Sequence, residues 1–390
     1  MDRVAEQDRI LKASGVDAER ASILRAMKAI WIPLLLAVST FAVAQSSEPA
    51  QAPWQMQESG TTASLRGIDS VDGTVAWASG TGGTVLKTID GGAHWTSCAI
   101  PDAASDGATL DFRGMQAWDA TTAIVMASGP GDKSRLYKTT DGCKTWTLDS
   151  KNTEKDGFWD AVVFQHGDFG YAIGDSHTGV LVGDPVNGRF ETKVMILGHG
   201  WFIDDAGCSA PAEQAAFAAS NSSIFVFGSR KYILGAGGKV GASVYISPLL
   251  LTGRGTDPCL RIPVPISGGN ESSGVFSIAF RDLKHGIVVG GDYTKPNESN
   301  NTAAHTEGDW KRWTASTTPP HGFRSAVQWD EALKAWITVG TNGSDISRDD
   351  GKTWQPLDNG NWNALSLPFV VGPDGRIARL NPAALPHSMP

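Results

Sequence analysis

The sequence predicts an all-β protein, a seven-bladed β-propeller of four-stranded antiparallel blades, from three observations. An apolar strand ending in glycine recurs seven times, and a turn of pattern [S/T]-x-D-x-[G/C]-x-x-W recurs three times. The composition agrees, with 45 Gly, 20 Pro and 14 Trp against 5 Tyr in 390 residues. That mixture suits many short strands joined by tight turns, since Gly and Pro supply the backbone angles that turns need.

The glycine-terminated strands are Val75–Gly80, Ile124–Gly129, Tyr171–Gly174, Ile224–Gly228, Ile287–Gly290, Trp336–Gly340 and Phe369–Gly372. Successive glycines lie 49, 45, 54, 62, 50 and 32 residues apart. A period in this range marks a repeat architecture and not a single sheet. About ten residues before each glycine another strand starts, at Arg66-Gly67, Arg113-Gly114, Trp159-Asp160, Phe217-Ala218, Phe276-Ser277, Arg324-Ser325 and Asn363-Ala364. Each repeat then reads strand, turn, strand, strand, Asp turn, strand, which is one blade. The last repeat ends at Leu380 and lacks an outer strand, which Trp54–Ser59 is placed to supply, closing the ring and removing a free edge. Six or eight blades is the alternative count.

The turn copies are Thr88-Ile-Asp90-Gly-Gly92-Ala-His-Trp95, Thr139-Thr-Asp141-Gly-Cys-Lys-Thr-Trp146 and Ser347-Arg-Asp349-Asp-Gly351-Lys-Thr-Trp354, with a degenerate fourth at Thr306–Trp313. In this pattern the Asp caps backbone N–H groups, Gly supplies a positive φ, and the Trp packs between neighbouring sheets. Asp90, Asp141 and Asp349 are therefore structural, as are Trp95, Trp146 and Trp354.

Before the repeats stands the only long apolar run. Arg25 and Lys28 precede Ile30–Val43, which ends Ala42-Val43-Ala44. A basic start, a short apolar stretch and an A-x-A site describe a secretory signal peptide, too short for a comfortable transmembrane helix. The expected organisation is an extension over 1–26 ahead of a true start at Met27, a signal peptide over 27–44, a linker over 45–53, the propeller over 54–380 and a tail over 381–390. An uncleaved membrane anchor is the alternative. Export to a periplasmic or extracellular space permits disulfides among Cys98, Cys143, Cys208 and Cys259, for which three pairings exist.

Formal charge is −8, with 33 Lys+Arg against 41 Asp+Glu. This argues against a broad nucleic-acid surface, where phosphate binding requires clustered positive charge.

The turns resemble the Asp boxes of sialidases and of non-enzymatic propellers. The wider pattern, Leu65-Arg-Gly-Ile68 followed by Trp77-Ala-Ser-Gly80-Thr-Gly-Gly-Thr-Val-Leu-Lys-Thr-Ile-Asp90-Gly-Gly-Ala-His-Trp95, resembles the photosystem II stability/assembly factor family. The resemblance spans about residues 54–380 and is strongest in the first, second and sixth repeats. It implies an exported, non-catalytic scaffold that binds a protein or assembly intermediate, without a cofactor.

The predicted contact surface is the funnel mouth formed by the inner-strand starts, with Arg66, Arg113, Trp159, Asp292, Tyr293 and Arg324. Arg66, Arg113 and Arg324 occupy equivalent repeat positions and form a candidate pocket for a carboxylate or anionic glycan; pairing with a neighbouring blade's carboxylate is the structural alternative. A sialidase-type hydrolase would use three such arginines, a Tyr–Glu pair and an acid/base Asp. Tyr293 beside Asp292 is the nearest match, but no Glu is spaced as its partner and the family's Arg-Ile-Pro motif falls late, at Arg261–Pro263. Asp175, His177 and Asp184 read as solvated turn residues and not as a metal site. His199, Trp201, Asp204, Asp205 and Cys208 form an irregular insertion. Nucleophile-elbow, Walker, zincin and dinucleotide motifs are absent from the sequence.

Overall fold

A computed structural model describes residues 51–386, apart from 156, 166–168, 176–192, 197–199, 204–209, 212, 228–230, 248–258 and 309. The expected signal segment, His177, Asp184, His199, Asp204, Asp205 and Cys208 lie outside the described residues, as do the side chains of Asp175 and Trp201. Among the described residues, helical backbone is confined to three short 3-10 turns, and no helix is long and apolar enough to cross a membrane.

Among the described residues the strands pair antiparallel into five four-stranded sheets and one of nine strands. The nine-stranded sheet contains two four-stranded runs, 224–263 and 273–315, joined where Gly237 pairs with Gly274, with Gln214–Ala215 added beside Lys231–Gly238. Seven four-stranded units result, numbered here as blades 1 to 7 in chain order. Their innermost strands are Leu65–Ser70, Phe112–Ala117, Phe158–Gln165, Ile224–Phe227, Ser273–Phe280, Ala326–Asp330 and Ala364–Ser366. Each touches the next, and the seventh touches the first. Blade 7 takes its outermost strand from the other end of the chain, with Trp54–Gln57 paired against Ile377–Leu380.

The core lies between blades. Trp77 and Val85 of blade 1 pack with Phe112, Met115 and Tyr137 of blade 2, while Leu65 and Leu86 pack with Phe369 and Ile377 of blade 7. Second strands such as Ala76–Gly80, Ala123–Ala127 and Ala335–Gly340 are buried along their whole length. With another blade on each face they have no solvent side, so they read as continuous apolar runs instead of alternating ones.

The terminal glycines answer to close backbone approach. A Cβ on Gly80, Gly174, Gly290, Gly340 or Gly372 would meet the carbonyl oxygen of Ser64, Phe158, Gly274, Phe323 or Asn361 at 1.8 to 2.2 Å. At this point the inner strand bulges: one extra residue is inserted at Arg66, Arg113, Asp160 and Phe276.

The three aspartate turns share one hydrogen-bond pattern. Thr88, Thr139 and Ser347 donate their hydroxyls to Asp90, Asp141 and Asp349 at 2.8 to 3.0 Å and accept the amides of Gly92, Cys143 and Gly351. Each Trp reaches the preceding blade: Trp95 donates to Gln57, Trp146 to the Ala99 carbonyl and Trp354 to Ser316. Cys143, with φ +67, takes the glycine position and is disulfide-bonded to Cys98 at the outer edge of blade 1. Cys259 is also disulfide-bonded.

Candidate functional site

A bulge releases one inner-strand residue from pairing and turns it toward the centre, so the bulges generate a shared cavity. Arg66, Arg113, Asp160 and Phe276 all line a space of about 550 Å³. Residues at the corresponding edges of the other blades, including Phe217, Ser325 and Asn363, complete the wall.

The wall is chemically divided. On blades 1 and 2, Arg66 and Arg113 face one carboxylate, Asp111. Arg113 is held on two sides, donating Nε to Asp111 at 2.8 Å and Nη1 to the Ala218 carbonyl at 3.1 Å, with its guanidinium 6.0 Å from the Phe158 ring centre. Arg66 only approaches Asp111, Nε to Oδ1 at 3.5 Å, and its side chain is 31% exposed. Its Nε and Asp111 Oδ1 are buried without a hydrogen-bond partner, as is the wall hydroxyl of Thr341. Burial, followed by the positive charge of Arg113, lowers the Arg66 pKa against the pull of Asp111.

The opposite wall is aromatic. Phe276 stacks on Phe217 at 3.9 Å between centroids and meets Phe323 edge-on at 4.7 Å and Tyr293 at 6.1 Å. Phe276 and Tyr293 belong to blade 5, three blades from blade 1 in one direction and from blade 2 in the other.

Of the six residues expected at the funnel, Arg66, Arg113 and Tyr293 line the cavity. Trp159, Asp292 and Arg324 do not. Trp159 is buried among Ile124, Leu136 and Val162 between blades 2 and 3. It pairs with Gly174 as Leu65 pairs with Gly80, so the true counterpart of Arg66 is Asp160. Arg324 is displaced in the same sense. Gly340 lies against the Phe323 carbonyl and Arg324 Cα just as Gly80 lies against Ser64 and Leu65, which makes Ser325 the cavity residue. A one-residue slip exchanges the two faces of a strand. Arg324 is thus 0% exposed and bound to the equally buried Asp345 through Nε at 2.7 Å, with Nη1 on Phe323 O and Asn342 Oδ1. Asp292 is a turn cap. Burial alone would raise its carboxyl, but hydrogen bonds from Thr294, Ser272 and Asn270 outweigh this and hold it at about 2.

The six residues named from the sequence omit Asp160, Phe217, Phe276, Phe323 and Thr341, although Asp160, Phe217 and Phe276 fall within the inner-strand starts. A signal for part of the wall was present: Arg66, Asp160 and Phe276 each lie fourteen residues before a repeat glycine. Among the described residues, no group of three His, Cys, Asp or Glu is placed to hold a metal ion.

No family model matches the chain, and no curated protein sequence does. Solved structures do. A structure described as YCF48 bound to D1 peptide aligns with TM-score 0.57 and 15% identity, over 85% of this chain and 97% of that one. YCF48 from Cyanidioschyzon merolae aligns with TM-score 0.56 and 18% identity, over 85% and 100%. The WD40 β-propeller domain of Doa1 aligns with TM-score 0.53 and 11% identity, over 86% and 99%. The chain is a β-propeller. The similarity to YCF48 structures agrees with the resemblance carried by the repeats of this propeller, and at these identities it establishes the fold.

Proposed function

We propose that this propeller is an exported, non-catalytic binding scaffold whose central cavity contacts a protein or peptide partner. The observation that carries the reading is the cavity wall itself, where an incompletely paired Arg66 stands across from an aromatic face on a rigid ring of blades. Rigid scaffolds with concave, mostly apolar sites and a few polar groups suit ligand binding. The similar YCF48 structure with a D1 peptide supports a peptide ligand class. Export rests on the 27–44 segment, and the Cys98–Cys143 disulfide is consistent with it. A sialidase-like site has less support, because Arg324 is committed to Asp345 and is unavailable as the third arginine.

The test is capture of partners from native periplasm or culture fluid by the full chain and by an Arg66→Ala/Arg113→Ala variant, with mass-spectrometric identification. A protein retained by the wild type and lost by the folded variant supports the funnel. Equal retention by both removes it. N-terminal sequencing of the exported chain is expected to begin at Gln45; recovery of the chain only in the cell interior would refute export.

A further inference from the structure

We infer that the cavity binds an apolar monocarboxylate, with the charge on Arg66 and the apolar group against the Phe217, Phe276 and Phe323 wall. This rests on the cavity being the binding site and names the chemistry that it takes.

Arginine geometry sets the anion. At the polar wall Arg66 and Arg113 face Asp111, and Asp160 also lines the cavity, so the ligand's carboxylate answers to one guanidinium, that of Arg66, and not to an excess of positive charge. Arg113 is held by Asp111 and the Ala218 carbonyl and acts as a positioning residue, while Arg66 makes only its 3.5 Å approach to Asp111 and has a 31% exposed side chain in the cavity wall. A planar guanidinium favours a planar carboxylate because two parallel N–H···O bonds form.

Shape sets the remainder. Phe276 and Tyr293 of blade 5 lie across the ring from Arg66, so a ligand reaching both sides carries its charge at one end and its apolar group at the other. A chain-terminal carboxylate following an aromatic residue and a free aromatic acid both have this form.

The experiment is titration calorimetry of the full chain with N-acetylphenylalanine, its amide and N-acetylalanine, together with an octapeptide ending in Phe as the free acid and as the amide. The acid is expected to bind about tenfold or more tightly than its amide, the scale of a hydrogen bond to a charged group, and N-acetylalanine to bind similarly more weakly than N-acetylphenylalanine. Arg66→Gln is expected to abolish acid-over-amide discrimination, with Arg66→Lys restoring part of it; circular dichroism checks folding, and Phe276→Leu tests the apolar wall. Tighter binding of the acid peptide than of N-acetylphenylalanine assigns the carboxylate to a chain terminus, and equal binding assigns it to a small acid. Absence of acid-over-amide discrimination, or its survival in a folded Arg66→Gln chain, overturns the inference. Capture of a protein partner through the cavity without such discrimination would leave the scaffold reading standing while this one fails.

Discussion

Ser366 Oγ accepts the backbone N–H of Ser70 at 2.9 Å, joining blade 7 to blade 1 across 296 positions of sequence. The contact belongs to a series. Asp69 accepts the Ala117 amide, Gln116 that of Phe164, Asn221 that of Val162, Ser277 that of Val327 and Gln328 that of Leu367, at 2.7 to 3.0 Å. An innermost strand has no neighbour on its central side, so its amides require side-chain acceptors. Short polar side chains from adjoining blades supply them and tie each blade to the next.

Trp54→Ala is expected to destabilise the propeller by about 3–5 kcal/mol, the range for emptying a buried aromatic site. Trp54 is 4% exposed, packs on Trp362 and donates to Ser344, so its loss loosens the strand that completes blade 7. Urea unfolding measures this, and a midpoint equal to wild type would show that the N-terminal strand contributes little.

The two arginine environments separate under mutation. Asp345→Ala leaves Arg324 buried without its carboxylate and is expected to cost about 3–5 kcal/mol, whereas Arg66→Gln removes a charge that burial and Arg113 already disfavour and changes stability by no more than about 1 kcal/mol. Thermal melts of both variants check the contrast, which a large loss in Arg66→Gln would contradict.

Asp69 gives a pH signature. Burial, against hydrogen bonds from Ala117 and Ser366, raises its carboxyl from 3.8 to about 6. A raised native pKa means that its contribution is fully present below about pH 4, is lost as pH rises through 6, and is constant above that. Asp69→Asn keeps an acceptor for Ala117 and is expected to remove this fall, gaining about 3 kcal/mol at pH 7. Aspartates held near 2, such as Asp90 and Asp141, act oppositely between pH 4 and 2. The difference between Asp69→Asn and wild-type melts from pH 4 to 7 isolates the effect, and parallel curves would disprove it.

Cys98→Ser/Cys143→Ser opens a cross-link spanning 45 residues. Loop-closure entropy puts the loss at about 4 kcal/mol, read as a lower denaturant midpoint. An unchanged midpoint would mean that the packing of Trp77 and Phe112 and the hydrogen bonds between blades 1 and 2 hold them together without the cross-link.

Sequence alone determined the all-β fold, the repeat and the aspartate turns, because glycine at a crowded carbonyl and Asp over turn amides are local requirements that leave residue-type signatures. It also placed Arg66, Arg113 and Tyr293 at the cavity. The exact partners of those residues depended on contacts between repeats distant in sequence. Trp159 and Arg324 look equivalent to Arg66 by residue type and approximate spacing, yet each lies one residue early, and the two-residue period of a strand converts that offset into burial. Only the tertiary structure decided the register around each bulge, and with it that Arg324 belongs to Asp345 while Arg66, loosely placed against Asp111, lines the cavity.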